Sequence, residues 1–189
     1  MAAGTAANVT TGKHRVDGGI YVAPIGTTLP TDATTALAAG FKNLGYISED
    51  GVTIQEQRTN EGVKEWNGDE IDTLTKEHVS RFKAKFLETV NEDVLKVVRG
   101  SSNVTTATGG AITAKVNSKD LDEWMFVIDT IVKGSRLQRR VIPRGKLTEL
   151  GDLVNNAGTV TAYDATITCY PDANGDKIIE YIAAASTST

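Results

Sequence analysis

Hydrophobic and polar residues alternate with a period of two along much of this chain, and that pattern predicts β-strands. The clearest example is the segment 77–87, where Phe82, Ala84 and Phe86 alternate with basic residues. Side chains two positions apart lie on the same face of a sheet, so this strand has one apolar face and one wet face. The segment 124–132 is apolar on both faces, which predicts a central strand covered on both sides.

One segment departs from this pattern and predicts a short α-helix. Asn91 can cap its first turn, two acidic residues suit its positive end, and Gly100 can end it. Val94 and Val98 supply an apolar stripe that must pack on the sheet, because so short a helix is unstable alone. The sum is a mainly β fold, a β-sandwich or partial barrel, with one short flanking α-helix.

The segment 57–68 interrupts the alternation with a polar run. It is too polar to build a core, so it predicts a projecting loop between two strands, and long loops on β scaffolds often carry function. Trp66 lies near its end. A tryptophan in such a place is typical of an interface anchor, although packing within the same molecule is an equally good interpretation.

Length and composition predict one β-rich domain, at 12–182, between an N-terminal arm at 1–11 and a flexible C-terminal tail at 183–189. The chain has 189 residues, of which 40% are hydrophobic, enough for a substantial core. We see no signal peptide and no apolar run long enough to span a bilayer, so no membrane association is predicted.

Charge is unevenly distributed along the chain, whose formal net charge is −4. The segment 49–72 holds eight acidic residues against two basic ones, whereas the segment 133–146 holds six basic residues and no acidic one. These acidic and basic segments can pair within one molecule or between copies of it. A phosphate-binding role for the basic segment is less favoured, because it lacks interleaved aromatic residues.

Residues with catalytic or metal-binding chemistry are few. His14 and His78 lack partners at metal-ligand spacing, and the single Cys169 makes a zinc site improbable. The acidic cluster at 120–123 is more typical of a solvated turn than of an acid–base pair. We therefore predict no catalytic residue, no metal, no cofactor and no enzymatic activity.

Five segments, taken in chain order, carry a family resemblance: 41–52, 65–69, 82–100, 140–143 and 146–152. Together they resemble the tail tube (major tail) protein of long, flexible-tailed bacteriophages, the siphophages. The resemblance covers nearly the whole chain. Its specificity comes from the order of the segments, since none of them is a chemical signature alone.

The resemblance implies a structural virion protein with the β-sandwich-like tail tube fold. Such a protein self-assembles in the bacterial host cytoplasm into stacked hexameric rings that form the hollow phage tail tube. The tube encloses the tape measure protein, meets distal tail and tail terminator proteins, and conducts viral DNA, without specific binding, during ejection. The family uses a long loop to contact the neighbouring ring, and the segment 57–68 occupies that place.

Charge and resemblance together predict which residues make the contacts between stacked rings. A head-to-tail interface joins two unlike patches, and the acidic and basic segments are such a pair. The predicted contact residues are Arg58, Glu61, Lys64, Glu65, Trp66, Asp69, Arg136, Arg139, Arg140 and Arg144.

Two other classes of function stay open at this point. One is a monomeric β-sandwich module that binds a ligand such as a carbohydrate, with Trp66 as its stacking platform. That function favours a concave face with several exposed aromatic residues, and the chain offers few. The other is a hydrolase whose residues assemble across the sheet, which needs a nucleophile or carboxylate cluster that the sequence does not reveal.

Overall fold

The computed structural model describes residues 12–14, 19–132 and 136–184. The predicted N-terminal arm and the last five residues of the predicted tail lie outside these ranges. The strands are β1 (Lys13–His14), β2 (Ile20–Pro24), β3 (Lys42–Asn43), β4 (Ile47–Lys64), β5 (Glu70–Phe86), β6 (Val104–Thr106), β7 (Ile112–Ala114), β8 (Trp124–Val132), β9 (Arg136–Leu150), β10 (Tyr163–Tyr170) and β11 (Ile179–Ile182). Helix α1 spans Glu92–Arg99, and a 3₁₀ turn follows at Ser101–Asn103.

Nine of these strands form one antiparallel sheet in the order β3-β2-β8-β9-β10-β5-β4, with β1 beside β8 and β11 beside β9. The remaining two, β6 and β7, form a separate small hairpin. Strand β9 is shared: its first half pairs with β8 and β11, and its second half pairs with β10. The mainly β fold with one short helix is confirmed.

The larger core lies between the sheet and helix α1. Phe82 and Phe126 are fully buried there and meet edge to face, with ring centroids 5.2 Å apart. The predicted cap is confirmed, since the Asn91 side chain accepts a hydrogen bond from the backbone N–H of Asp93 at 3.0 Å. Val94 and Val98 are buried against the sheet, as the apolar stripe of the helix requires.

A smaller apolar cluster lies on the opposite face of strands β2, β8 and β9. Met125 and Val127 of β8 belong to it, and Leu29 and Leu37 of the connection between β2 and β3 cover it. Phe126 and Ile128, at alternate positions, point into the larger core. This double coverage explains why β8 is apolar on both faces.

The predicted loop at 57–68 is wrong, because the structure continues β4 as a strand to Lys64. The antiparallel ladder with β5 runs out to the pair Lys64↔Glu70. A half-buried strand alternates, but a strand exposed on both faces can be polar throughout, so its sequence resembles a loop. The segment does project, as a two-stranded hairpin with a short turn at its end.

Candidate assembly interface

The outer part of the β4–β5 hairpin, residues 55–77, is here called the distal hairpin. All of its residues are exposed except Val63, which is half-buried. An isolated two-stranded hairpin is at best marginally stable in water, because it buries little. One ion pair crosses it, from Lys76 Nζ to Glu61 Oε2 at 2.8 Å, but both side chains are more than half exposed. The distal hairpin is therefore a surface without packing in the isolated protomer.

Trp66 lies on the turn that closes the distal hairpin and is fully exposed, at 101% of its reference area. Two backbone hydrogen bonds define the turn: Glu65 N–H donates to Asp69 O at 2.8 Å, and Gly68 N–H donates to Glu65 O at 2.9 Å. Gly68 has φ +91°, a left-handed conformation that favours glycine. Trp66 is thus presented on a defined turn, and it does not pack on the described part of its own chain.

Two further apolar side chains, Ile71 and Leu74, are 66% and 49% exposed near the tip. They accompany seven acidic and three basic residues between 55 and 77. Exposed apolar residues that stand singly need no explanation, but a group at the end of a projection is typical of a contact surface.

The outer edge of β4 is a second exposed feature. Strand β4 ends the strand order, so one side of its backbone has no neighbouring strand among the described residues. A long unpaired edge is a template for pairing with another chain, and proteins usually cover or close such edges. At 18 residues this strand is far longer than a typical edge strand.

The placement of Arg139 at a surface contact is wrong. Its side chain is buried in the protomer, where Nε donates to Asp129 Oδ1 at 2.7 Å and Nη2 donates to Oδ2 at 2.8 Å. Nη1 donates to the carbonyls of Asp32 and Thr35, at 3.1 and 2.7 Å. The hydrogen bonds to Asp129 raise the pKa of Arg139 despite its burial. The bidentate pair is a strong, charge-assisted contact between β8 and β9. The two hydrogen bonds from Nη1 attach the connection between β2 and β3 to the sheet.

Asp32 also orders the connection between β2 and β3. Its carboxylate accepts hydrogen bonds from the backbone N–H and the hydroxyl groups of Thr34 and Thr35. These bonds, the one from the Thr35 hydroxyl foremost, hold the pKa of Asp32 well below its usual range. The carbonyls that Arg139 contacts are therefore locally ordered.

Other bases of the basic segment also have partners within the protomer. Arg140 Nη2 lies 2.9 Å from Glu180 Oε1, and Arg144 makes a bidentate pair with Glu123 at 3.0 and 3.1 Å. Lys146 Nζ lies 3.7 Å from an oxygen of Asp120. These partners lie outside the acidic segment, although Glu49, Asp50 and Arg140 line one cavity of the same protomer.

The structure divides the predicted contact residues into two groups. Six of them lie together on the distal hairpin and are all exposed: Arg58, Glu61, Lys64, Glu65, Trp66 and Asp69. The four arginines from 136 to 144 lie along β9, where Arg139 is buried and Arg136, Arg140 and Arg144 are half-buried. The predicted contact set left out Ile71 and Leu74, although the sequence predicted a strand at 71–74.

Among residues 12–14, 19–132 and 136–184, no cluster of three His, Cys, Asp or Glu side chains could hold a metal ion. Within the same ranges no helix is long and apolar enough to cross a membrane.

A sheet with a long open edge and a projecting, unpacked hairpin define a β-rich subunit suited to contact with other copies. The model of the phage tail tube protein family matches residues 6–189, and the chain belongs to that family. It is thus a structural protein of the phage tail, in a family that is not one of enzymes. Comparison with curated proteins gave no match.

Proposed function

We propose that copies of this chain assemble into hexameric rings that stack into the hollow tail tube of a siphophage. The tube encloses the tape measure protein and later conducts viral DNA without specific binding. The tube grows in the cytoplasm of the bacterial host and contacts distal tail and tail terminator proteins. Membership of the tail tube family supports the tubular role, and the surfaces of the protomer support the mode of contact.

The distal hairpin is the single observation that carries this proposal. It projects from the core with both faces exposed and with Trp66 at its tip. An aromatic side chain buries about 150–250 Å² when it enters a pocket, which makes it an effective anchor. A hairpin that is marginal alone gains its packing when another copy receives it.

The open edge of β4 supports closure within a ring. Pairing of this edge with a sheet edge of the next copy extends the sheet across subunits. Closing such a sheet on itself removes exposed edges, which a single protomer cannot do. A stacked tube needs two different contact surfaces. The contact between rings uses the hairpin tip around Trp66, and the contact within rings uses the outer edge of β4 nearer the body.

The proposed contact set between rings keeps the six hairpin residues named above and drops Arg139, which is buried. Arg136, Arg140 and Arg144 stay in the set as partly exposed charges. Exposed ion pairs contribute on the order of 0–1 kcal/mol each, so these arginines guide the approach rather than hold the contact. Trp66 supplies most of the binding between rings.

The test compares Trp66→Ala with Val116→Ala, which truncates another exposed apolar residue away from the hairpin. Light scattering on a size-exclusion column, with negative-stain microscopy of the same fractions, measures assembly. We expect the wild type and the Val116 variant to form rings or tubes, and the Trp66 variant to lose stacking. Normal tubes from Trp66→Ala would contradict the hairpin contact. A wild type that yields no rings at any concentration would contradict self-assembly without other tail components.

The carbohydrate-binding module receives no support from the position of Trp66. Ligand sites are usually concave, and the tip of a projecting hairpin is convex. The other tryptophan, Trp124, is half-buried at the start of β8. No exposed aromatic row on the described surface accompanies Trp66.

A further inference from the structure

A cavity of about 480 Å³ opens beside helix α1, between strands β2, β3 and β8. Val22, Pro24 and Trp124 supply much of its apolar wall. Its volume lies in the range of sites that bind a bulky group.

We propose that this cavity, here called the α1 pocket, receives Trp66 and the hairpin tip of a second copy. The inference rests on the proposed function, since it names the surface onto which the distal hairpin docks. It assigns the site that receives Trp66 to the α1 pocket. The basic segment, in which Arg139, Arg140, Arg144 and Lys146 already pair within the protomer, only guides the approach.

The sheet register shows that a chain cannot fill its own pocket. Trp124 pairs with Gly145, Gly145 with Cys169, and Cys169 with Ser80, so one row of the ladder joins the pocket to the middle of β5. From Ser80 the strand continues ten residues outward to Glu70. At about 3.3 Å per residue, the tip lies roughly 33 Å beyond that row. Donor and acceptor are therefore separate patches, and repetition of such a contact builds a filament.

Charge at the mouth of the α1 pocket favours the hairpin tip. The charged residues that line it are Lys42, Lys96 and Asp93, which give a net charge of +1. Lys42 is exposed, whereas Lys96 already pairs with Glu92 at 2.6 Å and lies 4.0 Å from Asp93. The tip carries Glu65, Asp69 and Glu70 in one turn, opposite in sign to Lys42.

The chain ends are weaker candidates for the same pocket. Residues 1–11 contain neither an acidic nor an aromatic residue, and neither do residues 185–189. They offer no charge opposite to Lys42 and no large apolar anchor. Among the described exposed side chains, Trp66 at the tip is the most exposed large apolar one, and acidic residues accompany it.

Cysteine cross-linking tests the contact in assembled protein. Asn67→Cys places a thiol beside Trp66, and Ala39→Cys places one on the pocket wall. The native thiol gives little background, because burial raises the pKa of Cys169 to about 12 and suppresses its reactive thiolate. With a short bismaleimide, the double variant should give a ladder of covalent oligomers on a denaturing gel.

Two controls separate the possible outcomes. Asn67→Cys alone tests tip-to-tip contact, and Asn67→Cys with Val160→Cys places the second thiol on an exposed loop outside the pocket. A ladder from the pocket pair alone supports the proposal. Tubes that give no ladder, or an equal ladder with Val160→Cys, overturn the pocket assignment but leave the tail tube function intact. A chain that forms neither tubes nor ladder overturns both.

A charge exchange tests the same contact without cysteines. Lys42→Glu should slow tube growth several-fold, and the added Glu65→Lys should restore much of the rate. If instead the chain ends fill the pocket, Glu65→Lys would bring no recovery, and deletion of residues 1–11 would prevent assembly. That pattern would contradict the proposal.

Discussion

The two halves of the β4–β5 hairpin share one continuous ladder but differ in what their side chains do. Near the body, Phe82 and Phe86 are fully buried in the larger core. In the distal hairpin the side chains face solvent on both sides, apart from the half-buried Val63, and Trp66 at the end is fully exposed. Backbone pairing therefore extends from a region that stabilises the fold to a region available for association.

The largest expected effect comes from Phe82→Ala, in the buried half. It leaves a cavity against Phe126 and should lower the free energy of unfolding by roughly 4 kcal/mol. Urea denaturation followed by circular dichroism measures the change. A loss below about 1 kcal/mol would mean that the core collapses around the gap.

The neighbouring residues Arg139 and Arg140 offer a second comparison, between a buried and a half-exposed base. Arg139→Ala leaves the buried Asp129 carboxylate without its partner and should cost roughly 3 kcal/mol. Arg140→Ala removes only a partly exposed pair with Glu180 and should cost about 0–1 kcal/mol. Equal losses in urea denaturation would contradict the different roles assigned to the two residues.

The helix that covers the buried half gives a smaller effect. Asn91→Ala removes the side-chain acceptor for the Asp93 N–H and should lower the free energy of unfolding by about 1 kcal/mol. Asn91→Ser keeps a capping acceptor without placing a second carboxylate beside Glu88, which accepts from Asn91 Nδ2 at 3.0 Å, and it serves as the control. If both variants lose the same stability, the cap is not the cause.

The smallest expected effect on the isolated protomer is that of Trp66→Ala, in the exposed half. Because Trp66 packs on nothing in the described part of its chain, its removal should change the free energy of unfolding by less than about 0.5 kcal/mol. The same urea titration used for Phe82→Ala measures it. A large loss would show that Trp66 stabilises its own protomer, and the two halves would no longer differ.

These residues also show how far the sequence alone reaches. The alternation around Phe82 predicted a strand, and the cap and apolar stripe predicted α1, because half-buried elements leave a periodic pattern. The segment 57–68 shows no alternation of apolar and polar residues, since neither of its faces is buried. Its polar run predicted projection, but it could not show that the backbone stays paired as far as Lys64.

Arg139 escaped prediction for a different reason. A fully buried arginine is rare, so a base in a basic segment is normally assigned to the surface. The signal lay in another strand, where Asp129 interrupts the apolar run of β8. A buried carboxylate needs a cationic partner, and the register places Asp129 directly opposite Arg139. That pairing depends on register between strands, which composition does not reveal.

Three irregularities interrupt the β4–β5 ladder, between Ile47 and Val52, between Thr59 and Asn60, and between Val63 and Lys64. Bulges of this kind bend and twist a strand and break the regular spacing of its backbone groups. A flat edge would stack on any similar edge without limit, as in amyloid, whereas this edge accepts only a partner of matching curvature. The irregularities thus favour pairing with a sheet edge of matching shape over unlimited stacking of identical edges.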